Sequence, residues 1–115
     1  RWNMLHPLDD AKVPYVTQAM KGQRGPAIAA TDYIRQYPDQ IRAWLPMPFT
    51  VLGTDGFGRS DTRAQLRKHF EVNRHYIVIA ALKALVDEKS LPAADLVKAM
   101  EKYGINPEKP NPRLA

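Results

Sequence analysis

Residues 51–70, VLGTDGFGRSDTRAQLRKHF, hold the densest set of side chains able to do chemistry. An apolar run gives way to Gly53, Asp55, Gly56 and Gly58, and Arg59, Ser60 and Asp61 follow directly. Glycines ahead of a helix are one way for backbone amides to reach a phosphate. Spacing argues against that use here. A dinucleotide fingerprint runs G-x-G-x-x-G and a P-loop closes on Gly-Lys-Ser or Gly-Lys-Thr. These glycines have the gaps in the reverse order. Gly58-Arg59-Ser60 puts a planar guanidinium where the P-loop needs a compact ammonium. A phosphate- or nucleotide-binding module over 53–62 is therefore the alternative reading. The favoured one is a strand-to-helix turn, with Thr62 and Gln65 as a capping box ahead of Leu66 and Phe70, and Asp61 as a second cap candidate.

Other reactive residue types lack partners at useful spacing. His6, His69 and His75 offer no zinc pattern, since His69 and His75 stand six apart, neither i+3 nor i+4. Ser60 has no G-x-S-x-G elbow around it, so a loop or cap role fits better than a nucleophile. Trp2, Tyr33, Tyr37, Trp44 and Tyr76 have apolar rather than basic neighbours, which favours packing over base stacking. Met4, Met20, Met47 and Met100 share no stripe and read as gap-fillers. The net charge of +5 is spread thinly, with six basic and four acidic groups in residues 1–48, five and three in 49–75, six and five in 76–115. The local cluster Arg59, Arg63, Arg67, Lys68 is flanked by acids and reads as a solvated helix face, so no nucleic-acid partner is expected.

A chain of 115 residues, 44% hydrophobic and 25% charged, has the make-up of one small globular domain. No apolar run approaches the length that crosses a bilayer, and no membrane partner is expected. No signal-peptide pattern opens the chain, and its start at Arg1 is that expected of a piece of a longer polypeptide. Lack of cysteine removes disulfides and thiolate ligands and fits a reducing compartment.

The elements that must position the glycine stretch follow from periodicity. Pro14 and Gly22 bracket a short helix over about 14–21. PAIAATDY, 26–33, is small and apolar without a helical period and suits a strand buried on both faces. In YPDQIRAWL, 37–45, Ile41, Trp44 and Leu45 share a helical stripe. FTVLGT, 49–54, is a second strand, and the capped helix spans about 62–70. Asn73 caps a largely buried helix over 73–89, with Ile77, Val78, Ala81, Leu82 and Leu85 inward. Pro92 to Gly104 bound a last helix presenting Leu96, Val97, Met100 and Tyr103. The tail 105–115, INPEKPNPRLA, is a proline-rich arm, loose or laid over a neighbour. The order implies a parallel α/β sheet. Two strands shelter too little of this apolar surface, so the sheet is expected to be incomplete.

RWNMLHP (1–7), VPY (13–15), ATDYIRQYPDQIRAWLP (30–46), VLGTDGFGRSDTRAQLRKHFEV (51–72) and NPRLA (111–115) together resemble the homodimeric bacterial pyruvate dehydrogenase family, the decarboxylating first component of its complex. The resemblance covers nearly the whole chain. It implies a partial transketolase C-terminal-like domain over 1–115: α/β, three-layer, mostly parallel, lacking its first strand and helix. It also implies thiamine diphosphate and magnesium as cofactors of the full-length enzyme, cytoplasmic location, and three protein partners: other domains of the same subunit, a homodimer partner and the dihydrolipoyl acetyltransferase core. The family's cofactor motif is Gly-Asp-Gly followed by a distant Asn. TDG at 54–56 has Thr54 in place of the first glycine, and no asparagine stands at the required distance. The resemblance also places the family's catalytic glutamate and histidines in earlier domains, so no catalytic, cofactor-binding or metal residue is expected in this segment. The resemblance makes the loop Gly53, Asp55, Gly56, Gly58, Arg59, Ser60, Asp61 a turn facing another domain, or else the border of an active-site entrance at a strand's C-terminal end.

Overall fold

A computed structural model describes all residues 1–115. The helices are α1 (Trp2–Leu5), α2 (Tyr15–Met20), α3 (Gln36–Asp39), α4 (Arg63–His69), α5 (Arg74–Asp87) and α6 (Ala93–Lys102), with strands β1 (Ala27–Ala30) and β2 (Phe49–Leu52). The strands pair in parallel, with Ala27 opposite Phe49 and Ala30 opposite Leu52. Helix α5 lies against both strands and α6 packs on α5. Stacking of His75 on Tyr103, ring centroids 4.6 Å apart, ties the two helices together.

Local chemistry sets the ends. The Thr62 hydroxyl accepts from the Gln65 amide at 3.3 Å to start α4. The Asn73 side chain accepts from the Tyr76 amide at 3.1 Å to start α5. Each bond satisfies a helix-start donor that has no partner within its own helix. The return half of the expected capping box is replaced, because the Thr62 amide donates to the Asp61 carboxylate at 2.7 Å. Gly104, at φ 64°, ends α6 in the left-handed conformation. Glycine adopts it without a Cβ clash.

Two expectations need correction. The stripe over 37–45 does not make one helix: α3 ends at Asp39 and a separate 3-10 turn covers Arg42–Trp44. Arg42 bonds Asp39 and the Phe49 carbonyl, joining that turn to β2, while Ile41 and Trp44 stay exposed. With no core against which to lie, the stripe has nothing to hold it in a single helix. Burial is the second. Neither strand is buried on both faces, and α5, apolar nearly all round, has no buried residue; Val78 is 37% exposed.

Only four residues are buried: Val51, Phe70, Val72 and Pro112. The chain exposes 8838 Å². By the usual size scaling, a folded monomer of this mass exposes about 6300 Å². The radius of gyration is 17.5 Å, and the extents are 54 × 36 × 20 Å. A compact domain of this length has a radius near ~13 Å. The chain is a thin α/β slab, one part of a sheet domain.

Candidate functional site

The glycine stretch leaves β2 and turns at once against two other segments. Gly53 is needed for close approach: a Cβ there would meet the backbone nitrogen and Cγ of Arg35 at 2.7 Å. The Thr54 amide donates to the Tyr33 carbonyl at 2.9 Å and its hydroxyl to the Asp32 carbonyl at 2.9 Å. Asp55 accepts from the Arg35 side chain and, at 3.3 Å, from the Arg35 amide. These bonds lock the loop following β1 to the loop following β2.

The other contact is with the C-terminal arm. Gly56 sits at φ +121°, and a Cβ there would fall 2.5 Å from the Pro112 carbonyl oxygen. Gly58 has open space around it and no such backbone. The three glycines thus differ: Gly53 serves close approach, Gly56 both approach and positive φ, Gly58 neither.

Beyond Gly56 the loop projects. Phe57 is 84% exposed, and Ser60 and Asp61 are exposed as well. Arg59 reaches back to α4, its Nη1 donating to His69 Nδ1 at 3.0 Å. Partial burial, then the Arg59 guanidinium and the Lys109 ammonium hold the His69 imidazole below its ordinary range; Glu71 opposes them weakly. Asp32 receives a two-pronged bond from Arg67, 3.2 Å from Nε and 2.8 Å from Nη2. That bond draws its carboxyl below the usual carboxylate range. Behind the loop lies a cavity of about 380 Å³ bordered by Arg35, Asp55, Tyr76, Lys109 and Arg113.

This arrangement suits holding more than reacting. At the start of α4 the Gln65 amide meets the Thr62 hydroxyl and the Thr62 amide meets the Asp61 carboxylate, so an incoming anion would face a carboxylate. Asp55, the acid of the TDG stretch, is turned to Arg35. No three His, Asp or Glu side chains converge as a metal site would require. The residues present do not fit a thiamine diphosphate–magnesium centre.

Of the loop residues read from sequence, Gly53, Asp55 and Gly56 form its anchored base, and Gly58, Arg59, Ser60 and Asp61 its outer lip. Arg35, Asp32, Lys109 and Pro112 complete the cluster and escaped the sequence reading. Arg35 gave no signal, being one cation among 17. Pro112 stood in an arm with no helical or strand period.

Residues 3–73, from α1 through the glycine loop and α4, match the family described as Transketolase-like TK C-terminal domain. The chain belongs to this family. It is also similar to the pyruvate dehydrogenase E1 component of Pseudomonas aeruginosa, with 53% identity over 113 residues, covering 97% of this chain and 13% of that protein. The E1 component of Cupriavidus necator is 49% identical over 112 residues, 97% of this chain and 12% of that protein. That of Escherichia coli K12 is 47% identical over 116 residues, 100% of this chain and 13% of its own length. The chain thus spans about an eighth of the relatives it matches. Membership accounts for the parallel pair, and the glycine loop lies inside the matched segment.

Proposed function

We propose that this transketolase-like segment is part of a pyruvate dehydrogenase E1 component, which decarboxylates pyruvate on thiamine diphosphate and reductively acetylates a lipoyl group. The single observation that carries this is 53% identity across 97% of the chain to a protein of that name. The cofactor, when bound with magnesium, would supply the electron sink for decarboxylation. In this reading the chain contributes no ligand to it: Asp55 and Asp32 beside the loop are paired with Arg35 and Arg67, and no three His, Asp or Glu side chains converge.

Its contribution is surface. The excess exposed area, about 2500 Å², is some three times what one partner buries in a standard interface, about 800 Å². That supports covering on several faces: by other domains of the same subunit and by a second subunit of a homodimer. The acetyltransferase core of the complex and a cytoplasmic location belong to the same proposal. The glycine loop, at the C-terminal end of β2, faces a neighbouring domain; the entrance to the active site is the second reading, favoured by its place at a strand end.

The test is to assay pyruvate-dependent acetylation of a lipoyl domain by the intact polypeptide and by residues 1–115, each with thiamine diphosphate and magnesium. Turnover is expected from the intact polypeptide alone. Decarboxylation by the 115-residue chain would refute the assignment of a packing role.

A further inference from the structure

We infer that the C-terminal arm is a clasp that sets the conformation of the glycine loop. Three contacts hold it. Pro112, one of four buried residues, places its carbonyl against Gly56, where any side chain would collide. Lys109 donates from Nζ to the His69 carbonyl at 2.8 Å and to the Glu71 carboxylate at 3.0 Å, fixing the arm to the end of α4. Glu71 presents that carboxylate from a left-handed backbone, φ 62°. For a residue with a Cβ that is an unfavourable state. A strained residue that persists is held by its surroundings, and here Lys109 is among them.

The arm thus joins two places distant in sequence. Its Lys109 end meets 69–71, on which Arg59 of the loop also rests through the His69 ring. Its Pro112 end meets Gly56, next to Phe57. A short turn, with the Leu114 amide bonded to the Asn111 carbonyl at 2.9 Å and the Arg113 amide to the Asn111 side chain at 3.0 Å, shapes the NPRLA end around Pro112. The arm thus backs the loop at Gly56, just before the lip, while the lip itself is tied to α4 through Arg59 and His69.

Hydrogen exchange in the intact polypeptide carrying this chain tests the clasp. The reporters are the Thr54 amide, bonded to Tyr33, and the Arg35 amide, bonded to Asp55. Removing residues 110–115 should speed exchange at both by roughly tenfold or more while α5 amides keep their rates, as expected for local opening. Tryptic cleavage after Arg59 should accelerate in parallel. Gly56→Ala should reproduce both changes; Gly58→Ala, where a Cβ meets nothing, should reproduce neither. If the truncated polypeptide unfolds as a whole, Lys109→Met and Pro112→Ala decide, because each loosens one end of the clasp and leaves the glycine backbone unaltered. Unchanged exchange at Thr54 and Arg35 in those two variants, or equal responses to Gly56→Ala and Gly58→Ala, would overturn the clasp.

Discussion

The two halves of this chain are built to different ends. The corner formed by β2, the start and end of α4, and the arm contains all four buried residues. Residues 1–48 contain none of them, yet carry 11 of the 15 large hydrophobic side chains left exposed, Leu8 at 99% among them. That half is not unstructured. Asn3 and Lys12 close a loop with bonds of 3.0 and 2.8 Å, Lys12 lies 3.6 Å over the Trp2 ring, and Thr17 bonds the Trp44 carbonyl. It is ordered by polar ties and leaves its apolar side chains outward. A corner with its own core and a half held by hydrogen bonds around a bare face differ in how far the chain itself completes them: the first has all four buried residues, the second none.

The sharpest way to break this contrast is to cut into each half. Phe70→Ala, in the finished corner, should lower stability in urea unfolding by about 3 kcal/mol, the usual cost of emptying an aromatic core position. Trp44→Ala should change the 115-residue chain by less than about 0.5 kcal/mol. In the intact polypeptide the same substitution should cost about 3 kcal/mol, because the ring is then covered. Equal effects of Trp44→Ala in both settings would mean that nothing covers this half.

Helix starts give a smaller effect. Asn73→Ala removes the cap of α5 and Thr62→Ala that of α4, each costing about 1 kcal/mol in thermal or urea melts. The smallest signal is in pH. The folded His69 imidazole is depressed below its ordinary value. Its stabilising share is therefore full above the unfolded value of about 6.5 and is lost as pH falls through the folded value. His69→Gln should flatten the stability profile below about pH 6.5. A profile unchanged by that substitution would show that Arg59 and Lys109 do not sense the ring.

What the sequence made legible was local. Asn73, Thr62, Pro92 and Gly104 marked helix ends within a residue or two because each supplies or withholds a specific backbone bond. The parallel pairing of 27–30 with 49–52 followed from two β-rich runs separated by a helical segment. What was illegible depends on surfaces and residues remote in sequence. Ile41, Trp44 and Leu45 keep a helical spacing that shows only where a surface exists to receive it. The roles of Gly53, Gly56 and Gly58 look alike in sequence and separate only when Arg35 and Pro112 arrive beside two of them. The short α1 carried no periodic signal at all, being a single turn.

The sheet has two strands, so each has one margin with no neighbouring strand. A margin of unpaired amides and carbonyls is a template for any extended chain of suitable length. Expressed by itself, this polypeptide would present two such templates back to back. Extending ribbons, rather than amorphous clumps, is the form its precipitates should take.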